Sequence, residues 1–156
     1  MNNFWLLFLH LTGASIWVGG HLYLALRIVP MAIYRQNSQM LLDFEASFEK
    51  LGMSALIIQV LTGVKMADNL LPNWGLLLQH GAQNPLRQLS ILLTLKLCWL
   101  LLTVLTAISA QLIAIPRIRR DPNSAKARYF FVGHILAVTG LSVVFLATGV
   151  LFRTGW

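Results

Sequence analysis

Charge is scarce in this sequence. Only 11% of its 156 residues are charged, five of them acidic, against 57% apolar. A soluble domain draws about a quarter of its residues from Asp, Glu, Lys and Arg, so the expected solvent of this chain is lipid. Cysteine is nearly absent as well. The single Cys98, set in an apolar run, excludes a disulfide framework and any CxxC metal or redox motif, and is expected to pack in the core. No MxxM or HxM motif, internal repeat or low-complexity tract stands out. The first apolar stretch is not expected to act as a secretory signal: it has no basic n-region, runs too long, and ends in Leu-Arg-Ile-Val-Pro without a small-residue cleavage site. That stretch is expected to remain as a helix.

Four apolar segments are present, at about 4–29, 52–71, 88–115 and 129–152, bounded by polar clusters or by Pro30, Pro72, Pro85, Pro116 and Pro122. About 20 apolar residues cross a bilayer as a helix. The expectation is therefore one domain over 1–156, an all-α integral membrane protein built as a four-helix transmembrane up-down bundle. Residues 36–50 are a polar connection, expected to be partly helical. Arg27, Arg35, Lys50, Arg117, Arg119, Arg120, Lys126 and Arg128 fall on one side of the membrane; only Arg87 and Arg153 fall on the other, and Lys65 and Lys96 lie inside spans. The positive-inside rule then predicts N-out and C-out, with both termini periplasmic in a bacterial inner (cytoplasmic) membrane. Trp5, Trp74 and Trp156 fit the outer interface, Tyr34 and Tyr129 the inner one. The net charge of +7 is read as topology signals facing anionic lipid, and nucleic-acid binding is not expected.

Within "LHLTGASIWVGGHLYLALR" (Leu9 to Arg27) stand two histidines, His10 and His21. Eleven residues make three helical turns plus about 20°, so the two share a face and stand roughly 16 Å apart along the axis. His21 and His134 lie at matching depth, each about 9 Å inside the basic edge at 1.5 Å per residue. Membrane b-type cytochromes place imidazoles this way, one helix serving two stacked haems. The inner layer would pair His21 with His134; the outer would use His10 with His80 or a non-histidine group. Arg27, Arg128, Lys65 and Lys96 are candidate propionate partners and Trp17 a candidate cofactor wall. Gly13, Gly19, Gly20, Gly63, Gly133, Gly140 and Gly149 give room for close packing. Lys65 with Asp68, at i and i+3, is expected to be an internal ion pair or a snorkelling lysine. Lys96 has no acidic neighbour at helical spacing and is expected to face a polar cavity, a carboxylate or a bound anion.

The same stretch, with His10, Trp17, Gly20, Tyr23 and Leu24, is followed by "FEKLGM", by "LTG" at Leu61–Gly63 and by the lone lysine of "LTLKL". This pattern resembles the small four-helix proteins grouped with HemJ-type protoporphyrinogen oxidases and CopD-type copper resistance proteins. The HemJ side implies a haem-b oxidoreductase with His10 as a ligand and Lys96 needed for activity. The CopD side implies copper passage or handling, with copper as the alternative cofactor; Met31, Met40, Met53 and Met66 are scattered along the chain. Residues and resemblance together lead to the expectation of one or two haems b and electron transfer, with quinone or another redox protein as partner. The bundle is expected to stand as a homodimer or as a subunit of a larger complex.

Overall fold

A proline ends a helix unless the backbone around it absorbs the lost N–H and the clash of its ring, and this chain absorbs both twice. The computed structural model describes residues 3–78, 81 and 86–154, with the side chains of 3, 153 and 154 left aside. Four helices are long and apolar enough to cross a membrane: α1 Phe4–Tyr34, α2 Gln39–Leu70, α3 Arg87–Arg120 and α4, which runs Ala125–Thr154. A short 3-10 turn, Trp74–Leu78, follows α2. No strand occurs among the described residues. The protein is an all-α, four-helix membrane bundle. His80, Pro85 and Trp156 lie outside the described residues, as does the side chain of Arg153.

Every helix outruns its apolar segment at the basic end. α1 passes Pro30 and closes at Tyr34 with a Schellman arrangement: Gln36 takes φ 51°, its N–H bonds the Ile33 carbonyl, and the Asn37 N–H bonds the Ala32 carbonyl. The polar stretch from Gln39 onward is the start of α2, where Asn37 Oδ1 accepts the Gln39 N–H at 2.9 Å. At the head of α4, Ser124 Oγ caps the Ala127 N–H at 3.3 Å.

Pro30 and Pro116 are carried by π-turns, Leu24–Ile28 in α1 and Ala110–Ala114 in α3. In each, the N–H just before the proline reaches back five residues, Val29 to the Leu24 carbonyl and Ile115 to the Ala110 carbonyl. Widening the turn by one residue gives the proline ring the room that a regular ladder denies it. The two π-turns lie 86 residues apart. At the same offset Pro30 recurs as Pro116, Asn37–Ser38 as Asn123–Ser124, and Thr62–Gly63–Val64 as Thr148–Gly149–Val150. The chain therefore contains a repeat that no run of more than three identical residues announces: α1–α2 is one hairpin and α3–α4 a second of the same design.

The hairpins meet as twofold partners meet, each giving what it receives. Ser38 Oγ donates to the Pro122 carbonyl at 2.6 Å, and Arg128 donates to the Gln36 carbonyl, the equivalent of Pro122, at 2.8 Å. The buried cluster at this end contains repeat-related pairs too, Val29 with Ile115, Ala32 with Ile118 and Leu41 with Ala127. Around the ring α2 packs on α1, α1 on α4 and α4 on α3. Large apolar side chains such as Leu26, Leu61 and Leu112 are exposed, while Gln59, Thr62, Thr103, Thr139, Ser142 and Thr148 are buried, an inside-out pattern suited to lipid. Cys98, expected in the core, is exposed on α3. Close packing of α1 on α2 depends on Gly13, where a Cβ would stand 2.8 Å from the Ala55 carbonyl oxygen.

Candidate functional site

Between α2 and α3 the ring stays open, and the reason lies in residues that break the repeat. The α1–α4 seam is tied by Trp17 Nε1, which donates to Ser142 Oγ at 2.9 Å, and by Thr139 Oγ1, which reaches the His21 carbonyl at 3.3 Å. At the equivalent places on α3 and α2 stand Thr103 with Leu56, and Ala107 with Met53, pairs with no such bond to make. What remains is a cavity of about 310 Å³, at the lower end of the range for ligand pockets. It is lined mainly by apolar side chains, and the exposed Met53, Ile108 and Leu112 form part of its wall. Repeat-related pairs line it from both sides: His21 with Ala107, Leu24 with Ala110, Phe48 with His134, Gly52 with Val138. The cavity thus lies on the internal twofold axis.

His21 and His134, placed at one depth from sequence, both line this cavity. Each turns Nδ1 onto the carbonyl one helical turn back, His21 to Trp17 at 2.8 Å and His134 to Phe130 at 3.0 Å. With Nδ1–H donated to a carbonyl, Nε2 is the atom left to accept a proton or ligate a metal. His134 Nε2 meets the Ser109 hydroxyl at 3.0 Å. Trp17 also lines the cavity, its ring 4.4 Å from that of His21, and Phe48 meets His21 edge-on at 5.8 Å.

Sequence reasoning passed over the carboxylates at the mouth. Glu45 and Glu49 line the cavity from α2, one turn apart and in phase with Met53, a spacing that could have marked them. Glu45 bridges the open seam: Gln111 donates to it at 2.8 Å and Arg119 at 3.5 Å.

The other predicted residues stand elsewhere. Arg27 is exposed in the π-turn, and Arg128 is buried against the end of α1; neither lines the cavity. Lys65 and Asp68 form their ion pair at 2.9 Å, both about half exposed, with the Trp74 indole on the same carboxylate at 3.4 Å. His10 sits nearer the termini, its Nδ1 3.0 Å from the Gln59 carbonyl and 3.1 Å from Thr62 Oγ1. Among the described residues no carboxylate pairs with Lys96, and it does not line the cavity. Its ammonium lies 4.7 Å from the ring centre of Phe145 and 5.5 Å from that of Phe152. Two such contacts supply about 0.5–2 kcal/mol each, short of the several kcal/mol that desolvating an ammonium costs.

No family model, curated protein or solved structure matches the chain. Among the described residues there is no group of three His, Cys, Asp or Glu side chains arranged to hold a metal ion. A metal in the cavity would find the imidazoles of His21 and His134, the Met53 thioether and, at the mouth, the carboxylates of Glu45 and Glu49 among the lining side chains; the imidazole pair is the part of this set that suits a haem iron.

Proposed function

We propose that this protein is a membrane-embedded b-type cytochrome whose haem is held in the axial cavity by His21 and His134. One observation carries the reading: two histidines from neighbouring helices line the same apolar cavity, each with Nδ1 fixed on a backbone carbonyl. That arrangement selects the tautomer and orients the ring, as it does for metal-ligating histidines generally. The macrocycle's iron would supply one-electron redox chemistry. Trp17 and Phe48 would flank it as apolar wall, Ser109 would release His134 Nε2 on loading, and Glu45 and Glu49 at the mouth would offer proton acceptors to a redox partner.

The open α2–α3 seam favours a membrane-dissolved partner such as a quinone. Orientation by the basic loops puts the cavity toward the cytoplasmic half of a bacterial inner membrane, with both termini periplasmic. A second haem is left out of the proposal: His10 does not line this cavity, and Lys96 is held against two phenylalanine rings. Lys96 is also left out of any catalytic role in this cavity.

The test is an absorption spectrum of the full chain purified in detergent, oxidised and dithionite-reduced, with haem and copper counted per polypeptide. One haem per chain with a sharp reduced α-band is expected, lost in His21→Ala and in His134→Ala. Met53 shares the cavity with the two imidazoles, and thioether with imidazole suits Cu(I). A colourless preparation that carries copper would replace the cytochrome reading with a copper-handling one.

A further inference from the structure

The α1–α4 and α2–α3 seams can be compared residue by residue, because the 86-residue offset places Phe131, Ala25 and Ile33 in one where Glu45, Gln111 and Arg119 stand in the other. Where α1 meets α4, Phe131 is buried in the apolar cluster, and Ala25 and Ile33 pack against that cluster. Where α2 faces α3, the same three places hold a carboxylate and two donors. Gln111 Nε2 donates to Glu45 Oε1 at 2.8 Å, and Arg119 donates to Glu45 Oε2 at 3.5 Å. The π-turn brings the two donors onto one face of α3. Eight residues of regular helix would set Gln111 and Arg119 about 80° apart, and the residue added by the Ala110–Ala114 turn reduces this to about 20°.

The exchange of residues changes how each seam can part. Phe131 gains nothing by leaving its cluster, whereas a carboxylate near the membrane surface can trade its two donors for water. Glu45 precedes the apolar part of α2, which starts near residue 52. The Arg119 side chain is 58% exposed and that of Glu45 12%, so the guanidinium already stands in water and holds the carboxylate only weakly. Glu45 and Gln111 also line the cavity; the tie across the seam and the wall of the cavity share these two side chains. We propose that Glu45, Gln111 and Arg119 form a latch across the α2–α3 seam, and that the cavity exchanges its occupant sideways through this seam when the latch opens. The latch governs the route into the cavity whichever molecule fills it, so its failure and the failure of the haem assignment are separate results.

A cysteine placed behind the seam reports on its opening. Val138 is buried on α4 and lines the cavity, while Ala32 is buried on α1 and does not. The full chain carrying Cys98→Ser and Val138→Cys is reconstituted in phosphatidylcholine vesicles and treated with N-ethylmaleimide, the rate of labelling being followed by mass spectrometry. Glu45→Ala should raise the rate at position 138 at least about tenfold, the scale of one charge-assisted hydrogen bond. A second reporter, Ala32→Cys in place of Val138→Cys, should not respond to Glu45→Ala. Asp43→Ala, which removes an acceptor of Gln39 on the same helix and leaves the latch intact, should change neither rate. Giving the open seam the residues of the closed one, Glu45→Phe with Gln111→Ala and Arg119→Ile, should slow labelling at position 138 below that seen with the native latch. If Glu45→Ala does not fold, Gln111→Ala takes its place and should also accelerate labelling. An unchanged rate at position 138, an equal rise at the Ala32→Cys reporter, or a folded triple variant that labels as fast as the native latch overturns the proposal.

Discussion

Gly20 and Phe48 share a space that only one of them can fill. A Cβ on Gly20 would run into the Phe48 ring, and that ring forms part of the cavity wall. Because the obstacle is the end of a side chain and not backbone, Gly20→Ala should leave the bundle folded and drive Phe48 into the cavity. Haem per chain should fall severalfold with little change in the unfolding midpoint in denaturant. Ser142 presents the opposite case. Ser142→Ala removes the partner of the buried Trp17 N–H, a loss of about 0.6–1.7 kcal/mol on the scale of hydrogen bonds between membrane helices. It should lower the denaturation midpoint measurably and loosen the α1–α4 seam. At this scale the sequence is legible where depth alone decides, as with His21 and His134. It is opaque where the partner comes from another helix: Phe145 and Phe152 look like lipid-facing aromatics until α3 lays Lys96 against them, and the exposure of Cys98 follows from which face of α3 meets α4.

The prolines show what an element can hide. A span read from apolar content alone ends at Val29, because a proline at the next position would break a regular ladder; the π-turn lets the helix continue to Tyr34. A π-turn is equivalent to one residue inserted into an α-helix, so the residues on either side keep their phase once the extra residue is removed. Deletion of Ala25 combined with Pro30→Ala should therefore give a regular helix with Val29 and Ala32 still in the core, and helix content and denaturation midpoint should be nearly retained. Deletion of Val18 without compensation rotates everything after it by about 100°. It takes Leu24 and Val29 out of the core and should prevent folding, read as loss of a monodisperse peak in detergent. The polar start of α2 was hidden for a related reason. Asn37, Gln39 and Asp43 read only as a partly helical connection because they are hydrophilic, yet they cap and extend a helix that has left the hydrocarbon.

For the whole molecule the governing fact is that two hairpins of one design meet around an axis and are not identical along it. Shared residues at the 86-residue offset are few, apart from leucines that any membrane helix would carry, which is why the repeat is invisible to the eye. It becomes visible in geometry, in two π-turns at equivalent places and in carbonyls 36 and 122 accepting bonds from opposite hairpins. Where the copies have kept a matched partner the seam is closed, and where Trp17 and Ser142 have become Thr103 and Leu56 it is open. If association of the hairpins rests on the reciprocal contacts and the cluster around Ile118 and Leu41, the covalent link between them is dispensable. Co-expressed pieces 1–78 and 81–156 should then purify together through a tag on one of them. Adding Ser38→Ala with Arg128→Met removes both halves of the reciprocal contact and should release the untagged piece. Pieces that never associate would mean that the chain holds its hairpins together through the 79–85 connection, and that the repeat governs each hairpin separately, not their pairing.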